Sequence, residues 1–360
     1  MNYRLATLLA HESIATAGTK TIDVTIKDKI SRINIQVKAT NTDVVPTAHP
    51  AAIISKVEVV NGSDVLFGLS GKELLALQFY NTKRTPFVIN NYLNDVMNIT
   101  AYEIYFGRFL YDPLLALDPA KFNNLQLKIT HNLAAGGAAP DAATLEVTAD
   151  IFDEKVITPA GFLMAKENVS FTLVASANEY IDLPTDYTMR KLIIMSLAND
   201  KMPHEQFNEV KLSEDNDKRV PLNDYTSDLM KYFNAQFPRL MESVEGATAD
   251  STKDFYVMST YEIELAAMAM GNAAAYLKSD YMYGGQIDIR ASGACNFKAI
   301  VTGGAPFGSL CVPFGNQEDN ADWYDLTKVG SLRLTLKAGS SPGASSTCQV
   351  ITEQLRTYQK

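Results

Sequence analysis

Four histidines, three cysteines and two acidic runs are the residues best suited to chemistry here, and their spacing argues against most of it. His11, His49, His131 and His204 lie far apart, with no HxH or HExxH among them. A metal centre in a β-barrel needs histidines clustered near a glutamate, so none is expected. Cys295, Cys311 and Cys348 are odd in number and form no CxxC pair. Neither a disulfide framework nor a zinc knuckle follows, and buried, inert thiols are expected. No G-x-S-x-G, GxGxxG or P-loop occurs; "GGAPFG" at 303–308 lacks a phosphate-binding lysine and reads as a turn before a strand. "LSEDNDKR" (212–219) and "GNQEDNADWYD" (315–325) offer oxygen ligands for calcium, but not in EF-hand order, so solvated loops are expected. Trp323, beside Tyr324, could stack on a sugar ring or pack a strand end into the core. A pair of carboxylates for glycoside hydrolysis is defined by separation in space, which sequence does not give. No catalytic, cofactor-binding or metal-ligating residue is assigned, and the chain is expected not to be an enzyme.

The bulk properties narrow the classes further. At 360 residues the chain has room for two domains. Its 46% hydrophobic and 20% charged content is that of an ordinary globular protein. Net charge is −9 with no dense basic run, so few phosphates could be neutralised and no direct nucleic-acid partner is expected. The apolar core of "MNYRLATLLAHES" is too short for a secretory signal. Leu5, Leu8 and Leu9 there share one helical face with Arg4 and His11 beside it, which predicts a short amphipathic helix over residues 2–12.

What must position these residues is a repeat. "DPAKFNNLQLKI" (118–129) is echoed by "DLTKVGSLRLTL" (325–336) at a constant offset, since 332 − 125 and 334 − 127 are both 207. Phe106-Gly107 matches Phe314-Gly315 at 208, and each copy runs through a small-residue loop into an alternating strand, 144–152 and 347–355. Earlier in the first copy, "SKVEVVNGSDVLFGLSGKELLALQFYNTKRTP" reads as strand, Asn-Gly turn, strand and helix, with Ser70 and Glu73 as a capping box. "NEVKLSEDNDKRVPLNDYTSDLMKYFNAQFP" offers the same order, with Asn223 as the expected cap, Leu229, Phe233 and Phe237 at i, i+4 spacing, and Pro238 as the stop. Ile33, Ile35 and Val37, like Leu145, Val147, Ala149 and Ile151, fall on one face at period two. The expected fold is all-β: two tandem eight-stranded antiparallel jelly rolls with short flanking helices, divided as 1–160 and 161–360. From helix end to the Phe-Gly landmark the copies use residues 86–106 and 238–314, an excess of 76 − 20 = 56 residues. That excess predicts an insertion at about 240–310, part of it expected to project outward from the second barrel, the competing expectation being extra strands or a helix that flank the barrel.

Two such copies, with "VEVVNGSDVLFGLSGKELLALQFY", "NEYIDLPTDYTMRKLIIMSL" and the paired Phe-Gly and L-x-L segments, resemble the double jelly-roll major capsid proteins of tailless icosahedral viruses, which often contain a membrane. The resemblance implies a homotrimer that forms a pseudo-hexagonal capsomer, neighbouring capsomers and penton or minor capsid proteins as partners, and a place in the virion shell after assembly in the host cytoplasm. It also implies an internal lipid membrane as a possible contact of the N-terminal segment. A carbohydrate-binding, lectin-like or glycan-processing sandwich is the alternative.

Overall fold

Alternating apolar residues build most of the chain into strands, which the computed structural model describes over residues 1–249, 253–271, 277–279, 282–344 and 346–358. The first half holds β1 (Tyr3–Ile14), β2 (Ala17–Asp23), β3 (Ile30–Asn41), β4 (Ile54–Asn61), β5 (Asp64–Leu69), β6 (Val88–Asn91), β7 (Met97–Tyr105), β8 (Leu125–Asn132) and β9 (Pro140–Phe152). Strands β1-β9-β3-β7 form one sheet and β2-β8-β4-β5 the other. Ile33, Ile35, Leu145 and Val147 from one meet Val57, Val59, Leu127 and Ile129 from the other in a common core. That pairing order is a jelly roll.

The second half repeats it. Its strands are β10 (Gly161–Thr172), β11 (Asn178–Leu183), β12 (Thr188–Ser196), β13 (Phe207–Glu214), β14 (Arg219–Tyr225), then β15 (Leu240–Thr248), β16 (Lys253–Tyr256), β17 (Tyr261–Met270), β18 (Leu277–Lys278), β19 (Met282–Tyr283), β20 (Gln286–Ala291) and β21 (Cys295–Gly304), and finally β22 (Ser309–Pro313), β23 (Leu332–Ala338) and β24 (Thr347–Thr357). The sheets β10-β24-β12-β22 and β11-β23-β13-β14 reproduce the first barrel strand for strand. The register is also reproduced. Arg32 lies between Asp150 and Tyr105, one residue after an irregularity at Ser31; Lys191 lies between Glu353 and Pro313, one residue after the same irregularity at Arg190. Tyr105 and Pro313 differ by 208, the offset of the Phe-Gly landmark that follows them.

Among the described residues three α-helices flank the barrels: α1 (Gly71–Thr82), α2 (Pro203–Gln206) and α3 (Thr226–Asn234). The Ser70–Glu73 capping box starts α1. Asn223 does not start α3; it pairs with Lys211 inside β14, and the helix begins after Tyr225. The β13–β14 hairpin claims the backbone of residues 219–225 for its ladder, which overrides the capping preference of one asparagine.

Two further expectations need correcting. Residues 3–14 form a strand, not a helix, paired with β9 from Tyr3↔Phe152 to Ile14↔Ala143. The open edge of β9 supplies ladder hydrogen bonds along the whole segment, which a lone amphipathic turn cannot match. The insertion is not a projection borne by the second barrel. Its β15, β21 and β17 prolong the first barrel's sheet, because β15 pairs parallel with β6 at Val244↔Asn90. Its β16, β20 and β18 form a small sheet, and Phe255, Ile287 and Ile289 from it share a core with Val244, Phe297 and Val301.

Candidate functional site

The residues singled out for chemistry are dispersed by the fold. His11 sits 2.8 Å from Glu146 on an open sheet face, His131 bonds the Ala15 carbonyl at 2.9 Å, and His204 stands edge-on to Tyr261. No group of three metal-ligating side chains occurs among the described residues. Cys311 and Cys348 are buried, and burial pushes the Cys311 thiol up to about 12. The acidic runs hold their own loops: Asp215 accepts from Ser331 N–H, Asp319 from Ala321 N–H and Asp322 from Asn316 N–H. Trp323 is only 4% exposed, donates Nε1–H to the Asn316 carbonyl at 2.9 Å and lies beneath the Arg190 guanidinium. It is a core residue, not a sugar platform. "GGAPFG" is the turn into β22.

Charged chemistry gathers instead where the two barrels meet. Apart from Lys72, α1 is buried from Gly71 to Tyr80, with Leu74, Leu75, Ala76, Leu77, Phe79 and Tyr80 leaving no wide polar face for water. One side closes the first barrel. The other lies on the outer face of the second barrel's β12, β22 and β24, whose Ile193, Met195, Cys311 and Ile351 join the first barrel's core. At the end of α1, Asn81 Nδ2 donates to Glu353 Oε1 at 2.6 Å. Arg190 and Lys191 converge on Glu353 Oε2 at 3.0 and 3.1 Å, all three side chains being 3% exposed or less. The Tyr80 hydroxyl bonds Ser309 at the start of β22. Burial and the neighbouring Arg190 bring the Lys191 ammonium down to about 8. Burial would raise Glu353, but Lys191 and Arg190 outweigh it and hold the carboxyl at about 2. A lone buried carboxylate would be costly; between two cations it is the group that permits them to be buried.

A second polar joint fastens the insertion. His49 Nδ1 accepts Ala51 N–H at 3.1 Å, so Nε2 carries the hydrogen towards Glu242 Oε1 at 2.8 Å. Glu242 also accepts from Asn90 Nδ2 at 3.0 Å and Met258 N–H at 2.8 Å. Sequence reasoning found neither joint, because their partners lie 193 and 163 residues apart (His49 to Glu242, Arg190 to Glu353).

The outer face of the first barrel's β3, β7 and β9 is more open. Arg32 pairs there with Asp150 at 2.8 Å and Glu103 at 2.6 Å. Beside them a cleft of about 380 Å³ is rimmed by Phe87 and Phe109, 55% and 49% exposed.

No protein-family model matches the chain, and no curated protein matches it. Solved structures do. The STIV MCP matches with a TM-score of 0.61 at 12% identity, over 98% of this chain and 96% of that one. A chain from the atomic structure of Sulfolobus Turreted Icosahedral Virus matches at 0.60 and 12%, over 100% and 92%. The major capsid protein P2 from Bacteriophage PM2 matches at 0.56 and 11%, over 99% and 98%. The chain therefore has the double jelly-roll fold of these viral major capsid proteins from end to end.

Proposed function

We propose that this chain is a major capsid protein, a non-enzymatic building block that self-associates as pseudo-hexagonal trimers in an icosahedral virus shell. Its two units, 1–160 and 161–360, would act as six similar contact blocks in a trimer, so that one chain type fills hexagonal positions by closed threefold symmetry. The observation that carries this reading is the end-to-end likeness, which covers 98% and 99% of this chain and 96% and 98% of the two capsid proteins. Neighbouring capsomers and penton or minor capsid proteins are the partners that follow, with the virion as location and the host cytoplasm as place of assembly. The lipid contact expected of an N-terminal helix loses its support, since residues 3–14 are a strand. The carbohydrate reading loses its platform with Trp323 buried. Native mass spectrometry and negative-stain images of the purified chain test the proposal. Trimers or shell fragments are expected; monomers alone at micromolar concentration would count against it.

A further inference from the structure

We propose that the cleft beside Arg32 receives the last turn of α3 from a second copy of the chain, repeating between copies the contact that α1 makes within one. This rests on the trimer reading above and assigns surfaces to it.

The internal contact supplies the template. There the end of α1 lies on the outer face of β12, β22 and β24, with Tyr80 on Ser309 and Asn81 on Lys191 and Glu353. The shared register fixes what stands at the equivalent places on the first barrel. Arg32 and Asp150 take the positions of Lys191 and Glu353, Glu103 that of Cys311, and Ala101 that of Ser309. On the helix side, Tyr232-Phe233-Asn234 closes α3 as Phe79-Tyr80-Asn81 closes α1.

Within one chain the first helix is seated and the second is not. Tyr232 is 66% exposed, and Asn234 Nδ2 is buried without a hydrogen-bond partner where Asn81 has a carboxylate. The cleft on the receiving face, between Arg32, Gln78, Phe87, Glu103, Tyr105 and Phe109, stands open. Because α3 packs on β22 and β13 of its own barrel, another copy must supply the helix for this cleft. Each copy then gives one helix end and takes one. That is a head-to-tail contact, which forms a closed ring when three copies are related by the threefold rotation of the trimer.

The two sides of the contact have changed chemistry together. Ile193, Met195 and Ile351 in the internal seat correspond to Asn34, Gln36 and Thr148 in the external one. The α1 helix, buried on nearly every side, corresponds to an α3 whose outer side carries Lys231 and Tyr232. A seat covered in every chain can be greasy; a seat that waits in water for a neighbour must be wettable. The ionic groups on both sides are already paired within the chain, Arg32 with Asp150 and Glu103, Arg108 with Asp112 and Lys231 with Asp228, so Phe87, Phe109 and Tyr232 carry the contact rather than net charge.

Co-expression of a Phe87→Cys chain with a Tyr232→Cys chain, both also carrying Cys295→Ser, tests this directly. A short bis-maleimide applied to the intact oligomer should yield covalent heterodimers, because each chain carries only one introduced thiol. Trimers whose introduced cysteines do not link would overturn this inference while sparing the trimer itself; absence of any oligomer would overturn both. As a second measure, Tyr232→Asp should raise the trimer dissociation constant roughly tenfold or more. Tyr180→Asp, equally exposed on β11, should leave it unchanged. Equal behaviour of the two variants would also overturn the assignment.

Discussion

Glu353 neutralises one of two buried cations, so its removal leaves Arg190 and Lys191 facing each other without an anion. Glu353→Gln is expected to destabilise the fold by about 3–5 kcal/mol, measured by denaturant unfolding at pH 7. The pH dependence follows from the same geometry. Glu353 is held at about 2, below its usual 4.5, so its contribution is present above pH 4.5 and lost as pH falls towards 2. Lys191 is lowered to about 8 from 10.5, so the unfolded chain binds more protons between those values and stability rises with pH there. Glu73 works in the opposite sense to Glu353. Burial, helped by the charge of Glu167, raises it to about 7, so stability declines as pH climbs from 4.5 to 7. Glu73→Gln keeps an oxygen to accept Ser70 N–H, which Glu73 now accepts at 2.6 Å, and should abolish that decline. An unchanged stability profile between pH 4.5 and 7 in this variant would show that the buried carboxyl is not its source.

Helices α1 and α3 show how one supersecondary position can carry opposite surfaces. Leu75 in α1 is fully buried between two barrels, and Leu75→Ala should cost about 2–5 kcal/mol, whereas Lys231→Ala on the outer side of α3 should stay within about 0.5 kcal/mol. The two segments differ in composition, since "LLALQFY" has no polar stripe wide enough to face water while "SDLMKYFN" does, although the shared strand-helix order alone does not say which helix is covered. Legible in sequence were the Asn61-Gly62 hairpin, the Ser70 cap and the inward faces of β3 and β9, since each depends on neighbours a few residues away. Residues 3–14 and Asn223 were misread because their partners, β9 and β13, lie elsewhere in the chain and overrule local preference. The insertion shows in the sequence only as excess length, and nothing local says that Val244 must pair with Asn90. Its attachment depends on Glu242, so Glu242→Ala should open the segment first. Limited proteolysis should then cut within residues 249–291 while both barrels stay resistant; early cutting of β3 or β24 instead would mean that the joint supports the whole molecule.

At the scale of the molecule, the seam makes one folding unit of two barrels. With a net charge of −9 and no dense basic run, the isolated chain is expected to show no salt-sensitive, sub-micromolar DNA binding in a filter or anisotropy assay. The stronger consequence concerns unfolding. Independent domains usually meet through modest, polar interfaces and melt separately. Here Ile193, Met195 and Ile351 of the second barrel belong to the core that holds Leu74, Leu75 and Phe79, and β10 pairs parallel with β5 at Lys166↔Gly68. Melting either barrel alone would bare that apolar face of the other and leave Arg190, Lys191 and Glu353 without Asn81, so the partly unfolded state is penalised from both sides. A single calorimetric transition is therefore expected, with calorimetric and van't Hoff enthalpies in agreement for the dissociated chain. Residues 161–360 expressed alone should be aggregation-prone or bind a hydrophobic dye through the uncovered face of β12, β22 and β24. Two resolved transitions, or a well-behaved soluble 161–360 fragment, would show that α1 merely rests against the second barrel and does not hold the halves together.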